Sequence, residues 1–214
     1  MEVAGADAAV IRPRRRWLAS LAAAGALLAV VAWCGCASTV TPPRDPPDPV
    51  VVHLLSTGRH AGVLLPNGDG RTVEYGYGDW NWYALLKNDW WRAPGTILWP
   101  SQGTLGRRYI RDADLAAMNR SYGGGMLEEL RVSRASADRL LARLDAEFAA
   151  GGEPHHNELY DMDFVKHDDD FWMFHDCHDE VAEWLREIDC TVGWAPIRTG
   201  LRLAEQRSIS PAPR

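Results

Sequence analysis

Apolar positions cluster in short alternating runs over the first half of the chain and in helical stripes over the second. Val50, Val51, Val52 and Leu54 form a β-branched run between Pro49 and Leu55, which predicts a strand. Gly58 turns the chain, and Ala61 to Leu65 is a second apolar run. The turn-forming residues Pro66, Asn67, Gly68, Asp69 and Gly70 follow, and Thr72 to Tyr77 alternates again, so 60–77 reads as a hairpin. Residues 80–99 hold Trp80, Trp82, Trp90, Trp91 and Trp99 and read as an irregular or partly helical excursion packed under a loop, with a strand expected near Ile97. Leu140, Leu141, Leu144 and Phe148 make one stripe of a helix over 136–150 that Gly151 and Gly152 stop. Asp176, with Asp179 three residues on, resembles a capping box opening a helix from Cys177 to Ile188. Cys177, Val181, Trp184, Leu185 and Ile188 share one face of it. Strands and helices are segregated rather than alternating, which predicts an α+β class with an antiparallel sheet packed against helices.

The N-terminus follows another pattern. Arg12, Arg14, Arg15 and Arg16 precede a stretch from Trp17 to Val40 with no charged residue, a basic region and apolar run of the kind that directs export. Gly35, Cys36, Ala37 and Ser38 resemble a bacterial lipoprotein processing site in which Cys36 is acylated, and Arg14 to Leu18 resembles a twin-arginine signal. Residues 1–36 are therefore expected to be an export signal or membrane anchor that leaves the rest outside the cytoplasm, in the cell envelope. Five Pro between Val40 and Pro49 predict a semi-rigid linker over 37–49, and 50–210 is expected to be one α+β domain.

Charge narrows the partners. The chain carries a formal charge of −6, and its first 36 residues hold four Arg, so the remainder is more acidic than the total suggests. With Lys87 and Lys166 the only lysines and no basic stripe, nucleic acid is not an expected partner. Gly123, Gly124 and Gly125 lack the strand-to-helix context of a phosphate loop, so no nucleotide cofactor is expected. His155, His156, His167, His175 and His178 lie among acidic residues, but none are paired at the i, i+4 spacing of a helical metal site. That segment, 153–180, reads as a solvated acidic loop with no metal, and His53 as a partly buried, satisfied strand histidine.

Cysteine supplies the candidate chemistry. Cys34 and Cys36 belong to the export segment, leaving Cys177 and Cys190. Their separation along one helix is about 20 Å, against about 7 Å for bridged Cα atoms, so they are not expected to bond. A free thiol at a helix start in an oxidising compartment suits a nucleophile, because the helix dipole favours the thiolate. His60, at the start of a strand beside Gly62, is the candidate base, and Gly62 is expected to leave room for the Cys helix. Glu74 is the candidate orienter of His60. A five-residue hairpin loop would set the two opposite each other; a three-residue loop would pair Glu74 with Leu64 and leave Asp79 as the reserve orienter. Asp176 and Asp179 oppose the helix dipole at the thiol, so a positive His60 would be needed to activate it.

His60-Ala61-Gly62, then Glu74-Tyr75-Gly76-Tyr77-Gly78-Asp79, then Cys177 at a helix start resemble a bacterial envelope lipoprotein family of unknown function. That family's pattern is His-x-Gly, Glu-x-Gly-x-Gly-Asp and Cys-Asn; here His178 stands in place of the Asn. The order is also similar to circularly permuted NlpC-type papain-like cysteine hydrolases and to lecithin retinol acyltransferase. The resemblance implies an envelope-anchored thiol hydrolase or acyltransferase acting on an amide or ester, with a cell-wall peptide or a lipid as substrate. The other reading is an inactive binding or scaffold module of the same fold.

Overall fold

The computed structural model describes Trp17, residues 20–26, Leu28, 36–58, 60–87, Gly95 and residues 98–121, 127–195 and 197–204. The chain divides into two units, Met1–Gly35 and Cys36–Arg214. The described residues of the first are helical and exposed, and no helix among the described residues is long and apolar enough to cross a membrane. Most of the export signal expected over 1–36 lies outside the described residues, as do Ile97, Trp90, Trp91 and the glycines at 123–125.

The second unit begins with strand β1 (Cys36–Thr41), followed by β2 (Pro49–Thr57), β3 (His60–Pro66) and β4 (Arg71–Asp79). One turn of π-helix (Trp80–Ala84) leads on toward β5 (Ser101–Arg111), α1 (Asp112–Ser121), β6 (Leu127–Ser133) and α2 (Arg134–Ala150). The chain closes with β7 (His155–Asn157), β8 (Met162–Phe171), α3 (Cys177–Glu187), β9 (Thr191–Val192) and β10 (Arg198–Leu203). Seven strands in the order β6-β2-β3-β4-β5-β8-β7 form an all-antiparallel sheet. A second sheet has the order β10-β1-β9, with β1 parallel to β10 and antiparallel to β9. The class is α+β, as the segregation of patterns predicts.

Alternation divides the large sheet into two faces. Ala61, Val63, Leu65, Val73, Tyr75 and Tyr77 belong to one core with Leu140, Leu144 and Phe148 of α2 and Val181, Trp184, Leu185 and Ile188 of α3. Leu55, Leu64 and Ile110 pack on the other side with Leu115 and Met118 of α1. Ser133 caps α2, its Oγ accepting the Ser136 N–H at 3.1 Å, and Gly151 ends it. Both Cys177 and Cys190 are buried and free, with the single helix α3 between them, as expected. Burial pushes the Cys190 thiol up to about 12, which marks it as an inert packed group.

Three expectations need correcting. The linker expected over 37–49 is in part a strand: Ser38 and Val40 are buried while Ala37, Thr39 and Thr41 are exposed, and Ser38 Oγ accepts from Arg198 Nε at 2.9 Å. Only residues 42–48 are irregular, and they join β1 to β2 instead of preceding the domain. The acidic loop expected over 153–180 contains β7 and β8, because the β5 ladder supplies backbone partners whatever the side-chain charge. Asp168, Asp169 and Asp170 are exposed strand residues. Finally, a Cβ on Gly62 would stand 2.9 Å from the Tyr75 carbonyl oxygen, so this glycine makes room for the β4 backbone and not for α3.

Candidate active site

The start of α3 is fixed by reciprocal capping. The Asp176 carboxylate accepts the N–H groups of His178 at 2.8 Å and Asp179 at 3.2 Å, while the Asp179 carboxylate accepts the Asp176 N–H at 3.4 Å. Those helix-start donors are thus engaged within the chain. The cap holds Cys177 and His178, each only 3–4% exposed, against the end of the sheet. His178 Nε2 lies 3.2 Å from the Thr57 carbonyl oxygen, which can only accept, so Nε2 carries the proton there. Nδ1 then faces the Cys177 sulfur at 3.6 Å and Asp176 Oδ1 at 3.5 Å. Burial pulls the His178 pKa down, but the Asp176 carboxylate and the Cys177 sulfur outweigh it and hold the imidazole up at about 10.

His60 behaves in the opposite sense. Its ring lies over Gly76, where a Cβ would meet Cε1 at 3.0 Å and Nε2 at 3.2 Å, so any side chain there would push the ring by a few tenths of an ångström. Enclosure first, then the charges of His178 and Arg108, lower its pKa to about 4. The imidazole is therefore neutral at pH 7, and its Nδ1 is buried without a hydrogen-bond partner among the described residues. His60 cannot supply the positive charge expected beside Cys177. His178 supplies it instead.

The expected orienters have other partners. The hairpin takes the register of the shorter loop, pairing Leu64 with Glu74, so Glu74 stands four residues along the ladder from His60. Its Oε2 accepts from Arg108, directly opposite on β5, at 2.5 Å and 3.0 Å. Arg108 also donates to the Tyr160 carbonyl at 3.1 Å. Asp79 caps the π-turn, accepting the Trp82 N–H at 2.7 Å and the Ser101 hydroxyl at 2.5 Å. Glu74 and Asp79 therefore act as structural anions, the first through a buried ion pair.

A cavity of about 410 Å³ lies on the His60 side of the sheet. Leu55, Trp82, Tyr83, Tyr160, Met162 and Phe164 form its apolar wall, with His60, Thr57, Glu74 and Arg108 among its polar lining. Two of these residues lead to the thiol: Thr57 holds His178, and the Tyr83 hydroxyl is pushed up by burial and by the nearby Cys177. Tyr83 also packs against His60, with ring centroids 5.6 Å apart.

Two other histidines of the acidic segment are held by carboxylates. His175 Nε2 contacts Glu180 at 2.8 Å, and Glu180 accepts the Trp184 indole N–H at 2.8 Å; the Glu180 bond holds His175 up at about 9. His156 pairs with Asp163 at 2.8 Å on the surface. His53, expected to be satisfied, has a buried Nδ1 without a partner among the described residues, and burial lowers its pKa. The donor atoms of Asp176, Cys177 and His178 lie within 4.8 Å of one another, close enough to share a cation. The sequence signal for His178 was the Cys-His doublet itself, since residues one and two past an N-cap are held by the same cap.

A scan against protein-family models matches none of them, and neither curated proteins nor solved structures give a match to this chain. The site is therefore argued from its geometry.

Proposed function

We propose that the chain is a cell-envelope thiol hydrolase or acyltransferase acting on an amide or ester, of permuted NlpC-type architecture, with Cys177 as nucleophile. The observation that carries this reading is the 3.6 Å contact between Cys177 Sγ and His178 Nδ1 at a capped helix start. A protonated imidazole there stabilises the thiolate. The thiolate attacks the carbonyl carbon, forming a C–S bond and an oxyanion. Collapse of the oxyanion breaks the bond to the amine or alkoxide, which leaves with the His178 Nδ1 proton. Water or a second alcohol or amine then attacks the thioester; its proton passes to His178, and Cys177 departs as thiolate. Export through residues 1–36, with acylation at Cys36, is the matching address. A scaffold without chemistry is favoured by one observation, the 4% exposure of Cys177.

Alkylation by iodoacetamide at pH 7 separates the two readings. We expect Cys177 in the folded protein to be modified, His178→Asn to slow this by about tenfold or more, and His60→Gln to leave the rate nearly unchanged. A Cys177 that stays unmodified until the protein is denatured would sink the enzyme reading in favour of the scaffold.

A further inference from the structure

The cavity on the His60 side of the sheet, whose lining stops at Thr57 and Tyr83 short of the Cys177–His178 pair, has a chemistry of its own. Its volume of about 410 Å³ falls in the range, roughly 300–1,000 Å³, of sites that enclose small ligands. Apolar and aromatic residues dominate its wall, from Leu55 to Phe164. Among the described lining residues the one carboxylate and the one guanidinium, Glu74 and Arg108, are spent on each other across the β4–β5 ladder. His60 is neutral at that pH. A charged ligand group would lose its hydration there and meet no unpaired countercharge. The polar group on offer is instead the neutral His60 imidazole, whose ring lines the cavity over Gly76. A neutral imidazole can hydrogen-bond an uncharged amide or ester without burying a charge.

We infer that this cavity binds the uncharged, apolar acyl group of the substrate, with the acyl carbonyl end lying toward Cys177 and a neutral polar atom meeting His60. The inference rests on the thiol-hydrolase reading for the word substrate, but ligand binding can be measured without turnover. Thr57 and Tyr83 make the link, since both line the cavity and both border the Cys177–His178 pair. On this account a free carboxylate or a highly charged peptide side chain is a poor occupant, and a chain of methylenes a good one.

The test uses full-length Cys177→Ser protein and the uncharged fluorophore N-phenyl-1-naphthylamine. We expect saturable binding at one site, displaced by decanamide and at least about tenfold less well by decanoate at pH 7. Met162→Trp, which fills the cavity, should weaken both amide and fluorophore about tenfold. His60→Phe should weaken decanamide by about three- to tenfold while sparing the fluorophore. If Met162→Trp fails to fold, Gly76→Ala serves, because its added Cβ would stand 3.0 Å from the His60 ring and crowd the lining. Equal displacement by decanoate overturns the uncharged class. Unchanged affinity in a folded cavity-filling variant overturns the location, and absence of saturable binding overturns the inference entirely. Cys177 alkylation is read separately, so failure here leaves the nucleophile standing, and an inert thiol leaves the cavity standing.

Discussion

His60 and His178 influence each other's charge yet titrate on opposite sides of neutrality, at about 4 and about 10. The difference is local. His178 has a carboxylate and a sulfur at its Nδ1, whereas enclosed His60 faces the positive His178 and Arg108. The same shifts set the pH dependence of stability. His60 binds its proton more weakly folded than at its ordinary 6.5, so the folded state loses stability as pH falls from 6.5 toward 4. His178 binds more tightly folded, so its contribution is complete below 6.5 and is lost as pH rises toward 10; His175, held at about 9, acts in the same direction. We expect the melting temperature to peak near pH 6.5 and fall on both sides. His60→Phe should flatten the acid limb and His178→Asn the alkaline limb. An acid limb unchanged in His60→Phe would refute the assignment of the shift to His60.

At the scale of elements, β1 departs most from its surroundings. It stands immediately before a proline-rich stretch, yet Val40 is fully buried in the main core and pairs with Val192, while Ala37 to Val40 pair with Gly200 to Leu203. A spacer would tolerate a charge at Val40; a core strand would not. We expect Val40→Asp to cost several kcal/mol, enough to collapse the denaturant midpoint, and Pro47→Ala, at an exposed irregular position, to stay within about 0.5 kcal/mol. Equal midpoints in the two variants would return residues 36–41 to the role of tether. The β3–β4 hairpin carries the second lesson at this scale. Its register alone decides that Glu74 meets Arg108 instead of His60, because a ladder allows each residue one opposite neighbour on each side.

For the whole molecule, the parallel pairing of β1 with β10 joins the beginning of the second unit to residues 198–203, so that unit closes on itself. Its first residue is Cys36, the proposed site of acylation, which leaves no spacer between lipid and strand. If export and acylation occur as proposed, Cys36→Ser should abolish lipid labelling and leave full-length precursor in the membrane fraction. Processing and labelling that continue in this variant would point to ordinary signal cleavage and a different modified residue.

What the sequence determined by itself was local. The capped helix at Cys177, its buried stripe from Val181 to Ile188, the 60–77 hairpin and the inability of Cys177 to reach Cys190 follow from spacing within about a dozen residues. The π-turn cap at Asp79 and strands β1, β5 and β8 were not legible. Proline neighbours hide β1, charges at Arg107 and Arg108 mask β5, and the Asp168–Asp170 run masks β8. Those strands exist because a neighbouring ladder satisfies their backbone, a condition set by residues up to about 160 positions away in the chain. The candidate site divides along the same line. Nucleophile and helix start are matters of local chemistry, but which histidine is charged depends on what encloses it, and that was decided only when Thr57, Asp176 and Arg108 were brought together. Burial and charge proximity are properties of the packed molecule, so the proton on His178 and its absence from His60 belong to the tertiary structure.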